Sequence, residues 1–472
     1  MPQHRFISCP NPRTFWWLAL AVLPALAQAQ TPAQVGSWSS LMTWPISATH
    51  TSLLPDGKVM FIGEYEQGAL PPRRWDPSTG ALTTFPYVGY NIFCSGHSFL
   101  SNGKLFYSGG HIAVDVGRTN TSSFDFNTSS WTQGPTMNAG RWYPSNTTLN
   151  NGDVVIVSGE MNGPGDINLI PQRYIAATNT LRTLTSASMN VPFYPKNFLA
   201  PNGKVFYAGS LRRSMWLDPT GNGAWSNGPN SNYGTRSYGP AVYIDGKVYL
   251  IGGSQPPTET VEVLDLNAAT PTWQYVAPMS IRRRQHNAVL LPDATIAVFG
   301  GSSGSGFNDS NFPVNYVEVY NPATNSWTSM ASAATYRGYH STAVLLPDGR
   351  VLSAGGYMDT TAQVFSPPYL FKGARPTIAS APTTSLPGAQ FTITTPDAAN
   401  ISRVSLIALN STTHTFDMNQ RFLTLAFTRG AGSLNVTAPP NRNVAPPGYY
   451  QLFIVNNAGV PSVGKRLRIP PP

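Results

Sequence analysis

The sequence predicts an all-β protein: a seven-bladed kelch-type β-propeller over residues 30–372, then an immunoglobulin-like β-sandwich over residues 373–472. Three observations carry this expectation. Charged residues make up only 11% of the 472, while Gly (42) and Pro (43) are abundant, a composition of turn-rich β proteins. A turn–strand–glycine unit recurs seven times. Short alternating apolar runs without that unit fill the rest of the chain.

The repeating turns read Pro-Asp-Gly57, Ser-Asn-Gly103, Asn-Asn-Gly152, Pro-Asn-Gly203, Ile-Asp-Gly246, Pro-Asp-Ala294 and Pro-Asp-Gly349. Asx-Gly between apolar runs is a strong hairpin signal, and the expected turn places both central residues at positive φ. Ala294 is the one departure. Each turn leads into a short apolar strand and then glycine, as in KLFYSGG, KVYLIGG, TIAVFGG and RVLSAGG. Several copies add a tail ending in tryptophan, at Trp131, Trp273 and Trp327. A period near fifty with a double glycine and a distal Trp is the kelch pattern, one four-stranded blade per unit.

The pattern stops at Phe371. Gly373-Ala374-Arg375-Pro376 reads as a domain boundary. The runs FTITTP, RVSLIAL, RFLTLAF, SLNVTAP and YYQLFIV then suit an antiparallel sandwich. No long helix is expected.

Residues 1–29 read as a secretory signal. Arg5 and Arg13 precede an apolar run from Phe15 to Leu26, and Ala27-Gln28-Ala29 forms a cleavage site. The run is shorter than a membrane span, so an exported, soluble protein is expected. The chain has two cysteines, Cys9 and Cys94. Removal of the signal leaves Cys94 alone, and a single thiol in an oxidising compartment is explained by burial, by pairing with another chain or by special chemistry. Asn120, Asn146 and Asn410 head Asn-x-Ser/Thr sequons, which matter only in a glycosylating host.

The formal charge is +9, but Arg282-Arg283-Arg284 is the only clustered basic run. Nucleic-acid binding is therefore not expected. Weak attraction to anionic polysaccharide or a cell surface stays open. A monomer is expected.

In a propeller the segment before each turn lines the central channel. Cys94 lies nine residues before Gly103, Tyr143 nine before Gly152, and Tyr339 ten before Gly349 with His340 beside it. A thiol, two phenols and an imidazole should then meet near one mouth of the channel. That donor set suits Cu(II). Zinc fits less well, because neither CxxC nor HExxH occurs. Taken singly, each residue has a plain structural reading: Cys94 as core, Tyr143 packed on Trp142, His340 as a channel histidine. His414, in NSTTHTFDMNQR, is the sandwich's only histidine and can sit on a hairpin that reaches the channel. His50, His97, His111 and His286 read as structural or channel-lining.

Together these segments resemble the copper radical oxidases of the galactose oxidase and glyoxal oxidase family. The resemblance rests on NIFCSGHS around Cys94, GRWYPS around Tyr143, YRGYHSTAVLLPDGRV around Tyr339 and His340, THTFDMNQR around His414, and the closing PPGYYQLFIVNNAGVPS. It implies one copper ion and a Cys94–Tyr143 thioether that carries a radical. It also implies Tyr143, Tyr339, His340 and His414 as copper ligands, with Tyr339 as the base. The implied reaction oxidises a small aldehyde or primary alcohol with O2 and releases H2O2. In galactose oxidase a tryptophan from the glycine turn stacks on the crosslinked tyrosine. The corresponding residue here is Met161, leaving Trp142 or Trp216 as candidates. Pro195 follows Tyr194 where galactose oxidase has a sugar-holding arginine, which favours the glyoxal oxidase side. The competing expectation is a secreted kelch propeller that binds glycans or proteins without catalysis.

Overall fold

The computed structural model describes Met1 and residues 30–472. The expected signal at 1–29 lies outside the described residues, apart from Met1 and the boundary. Among the described residues the chain is almost wholly β; its one α-helix, Pro32–Val35, is a single turn.

Strands are short because each apolar run is bounded by Gly or Asx turns. They assemble into antiparallel four-stranded units in chain order. The second unit, for example, joins Gly96–Phe99, Leu105–Ser108, Thr121–Asp125 and Ser130–Gln133. Burial falls from the first strand outward. Gly96–Phe99 and Leu105–Ser108 are buried throughout, whereas Ser130–Gln133 faces solvent. First strands of the second, third and fourth units adjoin, as do those of the fifth, sixth and seventh, and Ser341–Leu345 of the last unit lies against His50–Leu53 of the first. The outer strand of the last unit comes from the other end of the chain. Ser37–Trp38 and Met42–Thr43 pair with Thr361–Ser366.

The turns differ from expectation. Gly57, Gly103, Gly152, Gly203 and Gly349 have φ between 82° and 89°, but the Asx before each does not have positive φ. The Asx side chain instead accepts the N–H two residues on, as Asp56 does from Lys58 (3.1 Å) and Asn202 from Lys204 (3.0 Å). This is a turn closed by Asx and released by a left-handed glycine. The expected pair of positive φ values occurs only at Asp245 (49°) and Gly246 (84°). Ala294 takes the glycine conformation at φ 71°.

The C-terminal region is a two-sheet sandwich. Phe422–Leu425, Ile401–Ala408, Gly448–Asn456 and Lys465–Ile469 form one sheet. Gln390–Thr394, Ser433–Thr437 and Phe427–Gly430 form the other. Leu406, Ile454, Leu434 and Val436 share the core between them. Two of its segments join sheets of the repeats. Phe422 bridges to Ile244, and Ser411–Thr413 pairs with His50–Leu53. Sheet pairing thus crosses the boundary expected at residue 373.

Two features of the sequence that would suit a surface are largely buried. Arg283 and Arg284 are buried, Arg283 on Glu318 and on the carbonyl of Gly300, so the basic run is no exposed patch. Asn146 and Asn410 are fully buried, and their amides serve internal hydrogen bonds rather than glycan attachment.

Candidate active site

One backbone feature recurs at the entrance to the innermost strands. Cys94 (φ 61°), Tyr143 (69°), Tyr194 (40°), Tyr238 (52°), Gln285 (59°) and His340 (68°) all adopt the left-handed conformation. Five of them lie nine residues before their turn, and Tyr238 lies eight before the shorter fifth turn. Such residues cost about 1–3 kcal/mol each and persist only where the surroundings enforce them. Here neighbours hold one another: Tyr143 N–H donates to the Cys94 carbonyl (2.9 Å), and Tyr194 N–H donates to the Tyr143 carbonyl (2.9 Å). In this register His340, not Tyr339, is the counterpart of Cys94 and Tyr143.

His414 arrives from the sandwich. Thr413 pairs with Phe416, leaving His414 (φ 46°) and Thr415 (φ 71°) as a two-residue hairpin loop. Pairing of Ser411–Thr413 with His50–Leu53 holds this hairpin against the first unit.

These elements bring all five expected residues together. The Tyr143 and Tyr339 hydroxyls are hydrogen-bonded to each other. His414 Nε2 lies 2.9 Å from Tyr143 Oη. The His340 ring centroid is 3.7 Å from that of Tyr339 and 4.6 Å from that of His414. Cys94 is fully buried in the same core cluster as Tyr143. Tyr339, 9% exposed, is the most accessible of the five.

The hydrogen bonds decide both imidazole tautomers. Thr413 spends its hydroxyl proton on the Thr49 carbonyl (2.9 Å), so its oxygen accepts from His414 Nδ1–H (2.6 Å). The Glu64 carboxylate accepts from His340 Nδ1–H. Each Nε2 then presents its lone pair to the site, that of His414 accepting from the Tyr143 hydroxyl (2.9 Å). That of His340 is buried without a hydrogen-bond partner. Burial pushes His340 and His414 down, keeping them neutral, and pushes the Tyr143 and Tyr339 phenols up. Two neutral imidazoles and two phenols around one buried point fit a copper ion, whose charge would offset the cost of ionising a phenol there. Among the described residues no cluster of three His, Cys, Asp or Glu side chains forms a metal site; half of this donor set is phenolic.

Sequence reasoning missed Glu64 as a supporting group and left Trp142 and Trp216 as alternatives for the residue stacked on Tyr143. Glu64 is wholly buried, with His340 on one carboxylate oxygen and the Met358 N–H on the other. Trp142 stacks on Tyr143 at 3.9 Å and 10°, and Tyr194 stacks on Tyr143 at 4.7 Å and 25°. Trp142 Nε1–H donates to His111 (3.1 Å). Trp216 packs on Phe206 instead. The remaining histidines are structural in part. Cys94 N–H donates to His50 Nε2 (2.9 Å), so His50 Nδ1–H donates to His97 (3.0 Å), and His97 Nδ1–H to Ser411 (2.5 Å). A small pocket beside Tyr143 and His414 is lined by Phe193, Tyr194, Lys196 and Tyr238.

Comparison with known proteins agrees with this geometry. The glyoxal oxidase N-terminus family matches residues 74–244 and 248–369, and the galactose oxidase-like early set domain matches 375–469. Galactose oxidase of Gibberella zeae is 30% identical over 96% of this chain and 74% of its own. An aldehyde oxidase of Vitis pseudoreticulata is 28% identical over 81% of this chain and 82% of its own. A fungal alcohol oxidase solved with copper superposes with a TM-score of 0.85 at 27% identity, over 93% of this chain and 100% of its own. The chain belongs to the galactose oxidase and glyoxal oxidase family of copper radical oxidases.

Proposed function

We propose that this protein is an exported copper radical oxidase that converts a small aldehyde or simple primary alcohol to its oxidised product. An aldehyde hydrate and O2 would give the carboxylic acid and H2O2; an alcohol and O2 would give the aldehyde and H2O2. The observation that carries this reading is the convergence of two phenol oxygens and two Nε2 lone pairs at one buried point, beside a lone thiol. The unit arrangement supports a closed seven-bladed kelch propeller as the scaffold.

Tyr143, Tyr339, His340 and His414 would hold the metal. Copper, when bound, supplies a one-electron acceptor and polarises the substrate oxygen. Tyr143 supplies the second one-electron acceptor, because a thioether to Cys94 makes its ring easier to oxidise. Forming that bond removes the thiol hydrogen and one ring hydrogen, and O2 takes both with two electrons as H2O2. The stacked Trp142 covers one face of the Tyr143 ring and excludes water from it. Tyr339, the most accessible of the set, takes the substrate's hydroxyl proton and can pass it to solvent.

Pro195 offers no side-chain donor to a sugar hydroxyl, so small aldehydes are preferred to galactose. Among the described residues no helix is long and apolar enough to cross a membrane; export rests on the expected signal. The test loads the protein with copper and measures bound metal, peptide mass and peroxide release. The reading requires one copper per chain, lost in His340→Ala and His414→Ala. A protein that binds no copper with these four side chains intact overturns it.

A further inference from the structure

The pocket beside Tyr143 and His414 is lined by a lysine that the reaction described above does not use. Lys196 lines it, together with Phe193, Tyr194, Ser210, Ser237, Tyr238 and the hairpin residues Thr415 and Phe416. Its residue is only 3% exposed. Lysine is rarely buried to this degree without a paired carboxylate. None of the ion pairs among the described residues includes Lys196. The ammonium has one long hydrogen bond, 3.4 Å to the Arg236 carbonyl, and so keeps donors to spare.

The surroundings do not supply an anion. Arg236, the charged neighbour, is satisfied elsewhere. Its guanidinium donates to the carbonyls of Gly252 and Thr260, to the Thr260 hydroxyl and to Glu262. Glu262 is consumed in turn by Arg236 and by the N–H groups of Asn232 and Tyr233. Two cations therefore adjoin with one carboxylate between them, and that carboxylate belongs to Arg236. Burial first, and Arg236 next, pull the Lys196 ammonium down to about 7, the response of a cation that lacks a counter-charge.

We propose that Lys196 recognises a carboxylate on the substrate, so that the oxidase acts on small aldehydes or alcohols bearing an acid group near the reacting carbon. Lys196 would bind the anionic end in this pocket, whose wall also includes Tyr143 and His414, and the reacting carbon would lie toward those two residues. Phe193 and Phe416 add apolar wall beside it, which suits a short carbon chain. This inference rests on the oxidase reading for its chemistry but not for its binding.

Glyoxylate and methylglyoxal make the matched probes, because they are nearly the same shape and differ by a carboxylate oxygen against a methyl group. The ratio of kcat/KM for glyoxylate to that for methylglyoxal should exceed one in the native protein. It should fall roughly tenfold or more in Lys196→Met, the loss expected for one charge-assisted hydrogen bond. Ser237→Asp, which sets a competing carboxylate on the same wall, should lower the ratio likewise and serves if Lys196→Met does not fold. Calorimetry of glyoxylate binding to copper-free protein is the second readout, with affinity falling by a similar factor in either variant. A ratio unchanged within about twofold in the folded variants overturns the Lys196 assignment and leaves the oxidase reading intact. Lysine-dependent glyoxylate binding without peroxide release from any substrate would overturn the oxidase reading and leave the assignment standing.

Discussion

The Glu64 carboxylate accepts a hydrogen bond from His340 Nδ1–H, and both side chains are fully buried. They come from opposite ends of the repeat region, 276 residues apart. The pair turns His340 Nε2, which has no partner of its own, into a fixed lone pair beside Tyr339 and His414. A carboxylate behind a ligating imidazole sets its orientation and raises its basicity.

Glu64→Ala should therefore lower copper affinity by about 10- to 100-fold. Glu64→Gln keeps an acceptor and should lose less. Competition with a chelator of known affinity measures this, and the Cu(II) electron paramagnetic resonance spectrum should shift in the Ala variant. Equal affinity in all three proteins would remove Glu64 from the site's support.

The Cys94–Tyr143 crosslink predicts a mass change. Copper-treated protein should be two hydrogens lighter than the metal-free chain, and Cys94 should resist alkylation after denaturation. Cys94→Ser should show no mass change. Full alkylation of Cys94 in copper-treated protein would contradict the thioether.

Trp142 stacks on Tyr143 and donates to His111. Trp142→Phe keeps an aromatic face and loses the donor, a cost of about 1 kcal/mol. Trp142→Ala loses the packing as well, a cost of about 3–5 kcal/mol. Denaturant unfolding measures both. The oxidised, radical form should decay faster in the Ala variant than in the Phe variant, followed by its optical absorption.

Ala294 sits at φ 71° in a turn where the other repeats have glycine. Ala294→Gly should stabilise the protein by about 1 kcal/mol, by removing a left-handed non-glycine residue. Unchanged or lower stability on denaturant unfolding would show that the turn relaxes this strain elsewhere.

Tyr339→Phe removes the proposed base and keeps the ring against His340 and Phe307. Turnover should fall about 100-fold or more while KM changes little, because general-base catalysis acts in the transition state. Peroxide-coupled kinetics on small aldehydes checks this. Galactose preferred over every small aldehyde and simple alcohol would overturn the substrate class but not the copper chemistry.

The sequence by itself determined the β architecture, the repeat, and the five residues that converge. Turn glycines, apolar strand runs and the offsets of Cys94, Tyr143 and Tyr339 are local features, set by backbone sterics and by burial of alternating side chains. Tertiary structure alone decided which groups stand behind those five. Glu64 carries no motif, and only the contact of the last unit with the first brings it to His340. Trp142 was legible as a neighbour of Tyr143, but stacking required the left-handed backbone at Tyr143 that the neighbouring units hold in place. The N-terminal strands that complete the last unit, the buried state of Arg283, and the unpaired Lys196 arise the same way. Each depends on segments far apart in the chain meeting in space, which strand periodicity and residue spacing do not encode.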